Sequence, residues 1–228
     1  MEDGNLMNKL KILYEDNHII VVVKPYNVLS QSDNTGDISI MDMIKKYIKE
    51  KYNKPGNVYL GLVHRLDRPV GGVMVFAKTS KAASRLSKSF SNHEVVKKYL
   101  AVVHGKLSDG KMVDKIERDN EGNSFISENG KEAILNYHVI EYNKENDCSL
   151  VSIELKTGRH HQIRVQFASR GHYLIGDQRY GVQDKKQISL FSYYLSFIHP
   201  VSKEKLEFIE LPTYVDTWTL FTLSRRCI

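Results

Sequence analysis

From Leu10 to Val23 the run LKILYEDNHIIVVV holds two apolar stretches separated by the turn residues Glu15-Asp16-Asn17, and this predicts two short β-strands. Lys24-Pro25 stops the second, because proline has no amide proton for a strand ladder. The polar, glycine-containing stretch from Ser30 to Asp37 reads as a loop that is mobile without a ligand. Ser39 is then placed to cap a helix in which Ile40, Ile44, Tyr47, Ile48 and Lys51 recur at helical spacing and which ends before Pro55-Gly56. Leu60 to Val63 and Val73 to Lys78 read as strands flanking a central loop, His64 to Gly72, with Gly71-Gly72 as its turn.

A second helix is predicted from Thr79, where Ala82, Leu86 and Phe90 fall in line. Lys98 to His104 is β-branched and aromatic enough for a strand closed by Gly105. Asp109 to Lys131 is charged and poor in apolar residues, which predicts long surface hairpin loops. Strand alternation resumes at Ala133 to Glu141 and Ser149 to Lys156. The stretch HHQIRVQFASRG spaces Ile163 and Phe167 four apart and ends at Gly171, the residue that closes many helices. Strands return at Ser189 to Phe197 and Lys205 to Ile209. With no repeat, no low-complexity tract and no linker, the pattern predicts a strand-rich α+β domain with helices between strands.

Composition narrows the function. At 41% hydrophobic and 26% charged residues the 228-residue chain is that of an ordinary globular protein able to bury one large core or two packed halves. No apolar run reaches the roughly 20 residues of a membrane-spanning helix, and MEDGNLMNKLKI has no secretory core, so a cytoplasmic location is expected. Cys148 and Cys227 form neither a disulfide framework nor a metal pair. The formal charge of +6 and pI near 9.1 favour a polyanionic partner.

His64-Arg65-Leu66-Asp67-Arg68-Pro69 sets a carboxylate between two arginines on a loop bounded by strands. Neighbouring positive charge holds such an acid ionised, which makes Asp67 a ready nucleophile or base; a structural ion pair is the plainer alternative. Neither a GxGxxG nor a GxxxxGK[ST] phosphate loop is present. His160, His161 and His172 have no cysteine or carboxylate at zinc-like spacing, so no metal is expected; with Arg159, Arg170 and Arg179 they read as a surface facing the polyanionic partner or as solvated charge.

The whole segment GLVHRLDRPVGGVMVFAKTSKA resembles the central motif of the RluA-type pseudouridine synthases. IIVVVKPYNVLS is similar to that family's first motif, Lys97-Lys98-Tyr99-Leu100-Ala101 to its K-x-Y strand, and TGRHHQIRVQFASRGHYLIGDQRYG to its third motif, in the same order from about Leu10 to Phe208. The chain departs from the pattern at Asn27, at Ser30-Gln31 and at Pro69-Val70-Gly71-Gly72, which bears on loop geometry.

The resemblance implies conversion of uridine to pseudouridine in structured ribosomal or transfer RNA, without a cofactor. Asp67 is the implied nucleophile, Arg164 its basic partner and Tyr99 the aromatic that stacks on the target base. Arg65 is the implied arginine that displaces the flipped nucleotide, and His64, Ile163, Arg159 and Lys24 complete the expected substrate-binding set, Lys24 with a strand-capping role as the alternative. The implied fold is a mixed, largely antiparallel sheet in two halves flanked by helices, with a central basic cleft. A single catalytic domain over 1–228, core about 10–210, is expected, with no separate RNA-binding module, acting as a monomer. An RNA-binding protein or RNA chaperone that keeps this fold without catalysis is the rival.

Overall fold

The computed structural model describes residues 10–213 and 216–224, which form two compact units. The first takes in the chain up to Val95 and returns for Tyr194–Glu210; the second holds Val96–Tyr193 and the segment from Leu211.

In the first unit β1 (Lys11–Glu15) and β2 (Ile19–Lys24) form an antiparallel hairpin whose turn is closed by Asp16, its Oδ1 accepting from the amides of His18 at 2.7 Å and Ile19 at 2.8 Å. β2 pairs in turn with β4 (Gly71–Ala77), whose other partner is the short β3 (Gly61–Leu62). The later strands β10 (Leu190–Ile198) and β11 (Lys205–Ile209) add an antiparallel pair over Tyr194 to Ile209. β2 and β4 are apolar at nearly every position because both faces are covered. On one face Ile19, Val21, Val73, Val75 and Ala77 pack with Ala82 and Leu86 of helix α2 (Ser80–Ser91) and with Leu195 and Phe197.

Helix α1 (Ile40–Lys51) buries Ile40, Met43, Ile44 and Ile48 along one stripe. Ser39 caps it reciprocally, accepting from the Asp42 amide at 3.3 Å while Asp42 accepts from the Ser39 amide at 3.0 Å. Helix α2 is capped by Thr79, as its sequence predicts.

In the second unit β5 (Val96–His104), β9 (Cys148–Leu155), β8 (Lys131–Asn143), β6 (Gly110–Arg118) and β7 (Ser124–Ile126) lie side by side in that order, each described pair antiparallel. The expected surface loops between Asp109 and Lys131 are therefore strands. Met112 and Ile116 are buried with Asp114 half-buried between them, while Lys111, Val113 and Lys115 face outward: this is period-2 alternation with an acid in an inward position. Asp114 is satisfied there by Gln166 at 2.7 Å and Arg170 at 3.1 Å, both carried by or just past helix α3 (Gln162–Ala168). A short 3-10 turn, Asp216–Leu220, seats Trp218 in the core. The α+β class follows the sequence pattern, and the largely antiparallel sheet agrees with the fold that the resemblance implies.

Candidate active site

The loop between β3 and β4 is fixed from the inside by two apolar residues and from the side by the segment after β2. Leu66 and Val70 are buried at 6% and 2% exposure, which pins the chain on either side of Asp67. The Val70 amide donates to the Asp67 carbonyl oxygen at 3.0 Å, so the turn is Asp67 to Val70. Gly71 and Gly72, read from sequence as that turn, are instead the buried first residues of β4. Gly72 has φ +131°, a backbone region that side chains rarely allow, which is why the strand opens on glycine.

Ser30 clamps the loop with one hydroxyl, which donates to the Leu66 carbonyl oxygen at 2.7 Å and accepts from the Leu66 amide at 3.1 Å. Beside it Gln31 accepts from the Arg65 guanidinium at 2.9 Å, and Asp37 pairs with Arg68 at 2.7 Å. The Ser30 to Asp37 segment is itself closed at its stem, where Leu29 and Ser39 bridge and the Ile40 amide donates to the Leu29 carbonyl oxygen at 2.8 Å. The segment expected to be mobile is thus a brace for the loop that bears Asp67.

Lys24 takes the second of its two expected roles, the structural one, and not the RNA contact. Its side chain is fully buried, and its ammonium donates to the carbonyl oxygens of Val28 at 2.6 Å, Pro25 at 3.0 Å and Arg68 at 3.1 Å. A group enclosed in this way does not reach an RNA phosphate; it ties the end of β2 to the turn after Asp67. Burial pushes its pKa down to about 7, against the pull of the Asp67 carboxylate, while the Arg68 charge pushes it down further. His64 also faces inward: its Nε2 accepts from the Val75 amide at 3.0 Å and its ring stacks on Phe90 at 4.7 Å. Arg65 is exposed and Asp67 half-buried, so the first unit presents both at its surface.

The second unit holds the other expected residues. Tyr99 is a buried residue of β5, opposite Ile153 of β9. Lys97 lies two residues earlier on the same face, and burial lowers its pKa. Ile163 is buried at 4% exposure, which suits packing of α3 better than contact with a substrate. Arg159 is half-buried, its Nε donating to the Glu132 carbonyl oxygen at 2.7 Å.

Arg164 is buried and forked onto Asp177, with Nε donating to Oδ2 at 2.8 Å and an Nη to Oδ1 at 2.7 Å. Asp177 also accepts from the amides of Arg179 at 3.0 Å and Tyr180 at 3.1 Å. Burial acts to raise the Asp177 pKa, but the hydrogen bond and charge of Arg164 and those two amides outweigh it and hold the carboxyl below its ordinary range. Asp177 was missed by sequence reasoning, although it lies in the same GDQRYG stretch; only its position thirteen residues after Arg164 in one motif was available as a signal.

Among the described residues no group of three or more His, Cys, Asp or Glu is arranged to hold a metal ion. His160 and His161 instead bind Ser124 at 2.9 Å and Tyr180 at 2.8 Å through their Nδ1 atoms. No described helix is long and apolar enough to cross a membrane.

The profile of the family described as RNA pseudouridylate synthase matches residues 18–169, a span that includes the Asp67 loop, the Tyr99 strand and Arg164. The chain belongs to the RNA pseudouridylate synthase family. Members of this family are isomerases that convert uridine in RNA to pseudouridine. It is 34% identical over 219 residues to ribosomal large subunit pseudouridine synthase D of Vibrio cholerae, a match covering 87% of this chain and 66% of that one. It is 32% identical over 222 residues to the protein of the same name from Zymomonas mobilis, covering 89% of this chain and 69% of that one. The chain thus spans about two thirds of the length of these curated relatives. Among solved structures, human RNA pseudouridylate synthase domain containing 4 superposes with a TM-score of 0.78 at 23% identity, over 96% of this chain and 95% of that one. That likeness gives the pseudouridine synthase fold.

Proposed function

We propose that this synthase isomerises a uridine of large-subunit ribosomal RNA, with Asp67 as the reacting carboxylate, Arg164 as its basic partner and Tyr99 as the aromatic against the extruded base. The observation that carries the assignment of Asp67 is its placement: a half-buried carboxylate on a turn whose backbone is held by Lys24 and Ser30. A reacting group fixed before substrate arrives loses little entropy on reaching the transition state. The names of the two bacterial relatives support ribosomal RNA over transfer RNA as substrate. They lend no support to the rival of an inactive RNA binder.

The reaction breaks the N1–C1′ bond of uridine, turns the uracil and forms C5–C1′; the proton on C5 leaves and N1 is protonated in its place. A base inside a stem is out of reach of a side chain, so the nucleotide is extruded at a cost of a few kcal/mol and held by stacking and edge contacts. Asp67 serves this chemistry as a nucleophile toward sugar or base, or as the base that takes a sugar proton. In the proposed site Arg164 stabilises the anion and Tyr99 supplies the stacking surface, in a basic cleft that excludes water. Arg65, exposed and steadied by Gln31, is proposed to fill the gap left in the stem. The synthase is proposed to work as a cytoplasmic monomer.

The test is to incubate the full chain with ribosomal RNA from cells lacking its gene and to map pseudouridine. A new pseudouridine with the wild type and none with Asp67→Asn, at RNA affinity within about threefold, is the expected result. Turnover by Asp67→Asn would overturn the role of that residue. Modification confined to transfer RNA would overturn the substrate, and RNA binding with no product from either protein would leave the binder.

A further inference from the structure

Tyr180 stands at the meeting point of contacts that surround Arg164 within the second unit. The Arg164 guanidinium lies over the Tyr180 ring, 5.2 Å from its centroid. The Tyr180 amide shares Asp177 Oδ1 with Arg164, the two bonds being 3.1 and 2.7 Å. At its far end the Tyr180 hydroxyl accepts from the Ser124 amide of β7 at 2.9 Å and lies 2.8 Å from His161 Nδ1. The phenol can accept from the amide and donate to Nδ1 at once, the arrangement that goes with an imidazole proton on Nε2.

His161 explains the rest of the arrangement. It precedes helix α3 with φ +51°, a left-handed conformation that is unfavourable for a non-glycine residue and persists only where surrounding contacts hold it. Among those contacts are the Tyr180 hydroxyl on one side and the His160 ring, 3.7 Å between centroids, on the other. The left-handed turn aims Nδ1 at Tyr180 and starts α3 in the orientation that brings Arg164 onto Asp177. The fork to Asp177 sets the guanidinium within its own plane. The Tyr180 ring lies against the face of that plane and so bears on its tilt.

We infer that Tyr180 is a positioning residue for Arg164: its ring sets the tilt of the guanidinium, and its hydroxyl locks the ring to the β7 edge and to the residue that launches α3. This rests on the proposed role of Arg164 in the reaction. It gives a purpose to three features that sequence alone leaves unexplained: a strained histidine, a three-residue edge strand and an arginine over a tyrosine.

The test measures single-turnover rate constants and RNA affinity for Tyr180→Phe, Arg164→Lys and the double variant of the full chain. The substrate is the same ribosomal RNA labelled with tritium at uridine C5, so that release of label reports the reaction. Tyr180→Phe is expected to slow the rate constant about tenfold with RNA affinity within twofold, and the double variant to be no slower than Arg164→Lys alone, since the hydroxyl acts only through that guanidinium. A wild-type rate for Tyr180→Phe beside a slow Arg164→Lys would overturn the inference and leave the role of Arg164 intact. A wild-type rate for Arg164→Lys would overturn the role of Arg164 itself. Fully additive losses would show that Tyr180 acts by another route, and also overturn it. Should Tyr180→Phe lose its cooperative melt, His161→Gly fits the left-handed backbone, has no side-chain acceptor, and carries the same expectations.

Discussion

The ammonium of Lys24 lies 3.1 Å from the backbone carbonyl oxygen of Arg68, a contact that joins residues 44 positions apart and fixes the turn just after Asp67. Lysine suits this place because its stem is apolar and its head can satisfy three carbonyl groups at once, those of Pro25, Val28 and Arg68. Lys24→Met keeps the stem and strands those carbonyls. A loss of about 2–4 kcal/mol in urea unfolding is expected, along with slower turnover.

The same lysine gives a pH dependence with a definite sign. Its pKa is about 7 in the folded protein against 10.5 for an ordinary lysine, so the unfolded chain binds more protons between those values. The cost of burying the charge is present in full below pH 7 and is relieved as pH rises toward 10.5. The stability of the wild type relative to Lys24→Met should therefore grow between pH 7 and 9.5, read from parallel urea titrations; a flat difference would count against a lowered pKa for Lys24.

Ser30→Ala removes a donor and an acceptor from Leu66 together. The expected cost is about 1–3 kcal/mol of stability. Since Leu66 precedes Asp67, the larger effect should fall on the rate: about tenfold to a hundredfold in single turnover, with little change in RNA affinity.

Asp177→Asn leaves the buried Arg164 guanidinium facing a neutral amide. Breaking a buried pair in this way costs about 3–5 kcal/mol, measurable by thermal or urea unfolding. Because the Asp177 pKa lies below its ordinary value of 3.8, its contribution is present above that pH and is lost as pH falls further.

Glu15 offers a test far from the site. Burial acts to raise its pKa, but Lys51 and Lys78 at 2.7 Å, Tyr52 at 2.9 Å and Tyr47 at 3.0 Å lower it from 4.5 to about 2. Stability from this acid is complete above pH 4.5 and disappears as pH falls to 2. Glu15→Gln should remove about 1–3 kcal/mol at pH 7 and flatten the acid limb of the stability curve, followed by circular dichroism.

Much of this fold was legible because local signals agreed with the final environment. The capping Ser39, the apolar stripe of α1 and the proline after Lys24 each mean the same thing in the sequence and in the structure. The β6 and β7 strands were not legible, because Asp114 occupies an inward position and its partners, Gln166 and Arg170, are about fifty residues away. The braces of the Asp67 loop were hidden for a related reason: Ser30 and Gln31 look like ordinary loop residues until Leu66 and Arg65 are placed beside them. Lys24 read as a possible RNA contact because charge in a sequence carries no sign of burial. The resemblance pointed to Asp67, Tyr99 and Arg164, but it passed over Asp177, whose meaning depends on the arginine it holds.

His64 has a consequence for how the Asp67 loop is mounted. β3 gives its last ladder position to Phe76, and the next amide of β4, on Val75, is received by the His64 imidazole. The side chain thus takes over where the strand stops, and the chain can leave the sheet with no amide stranded at the point of departure. Residues 65–70 then leave from a fixed post, and the position of Asp67 is set by the side chains that grip the loop and not by the strand ladder.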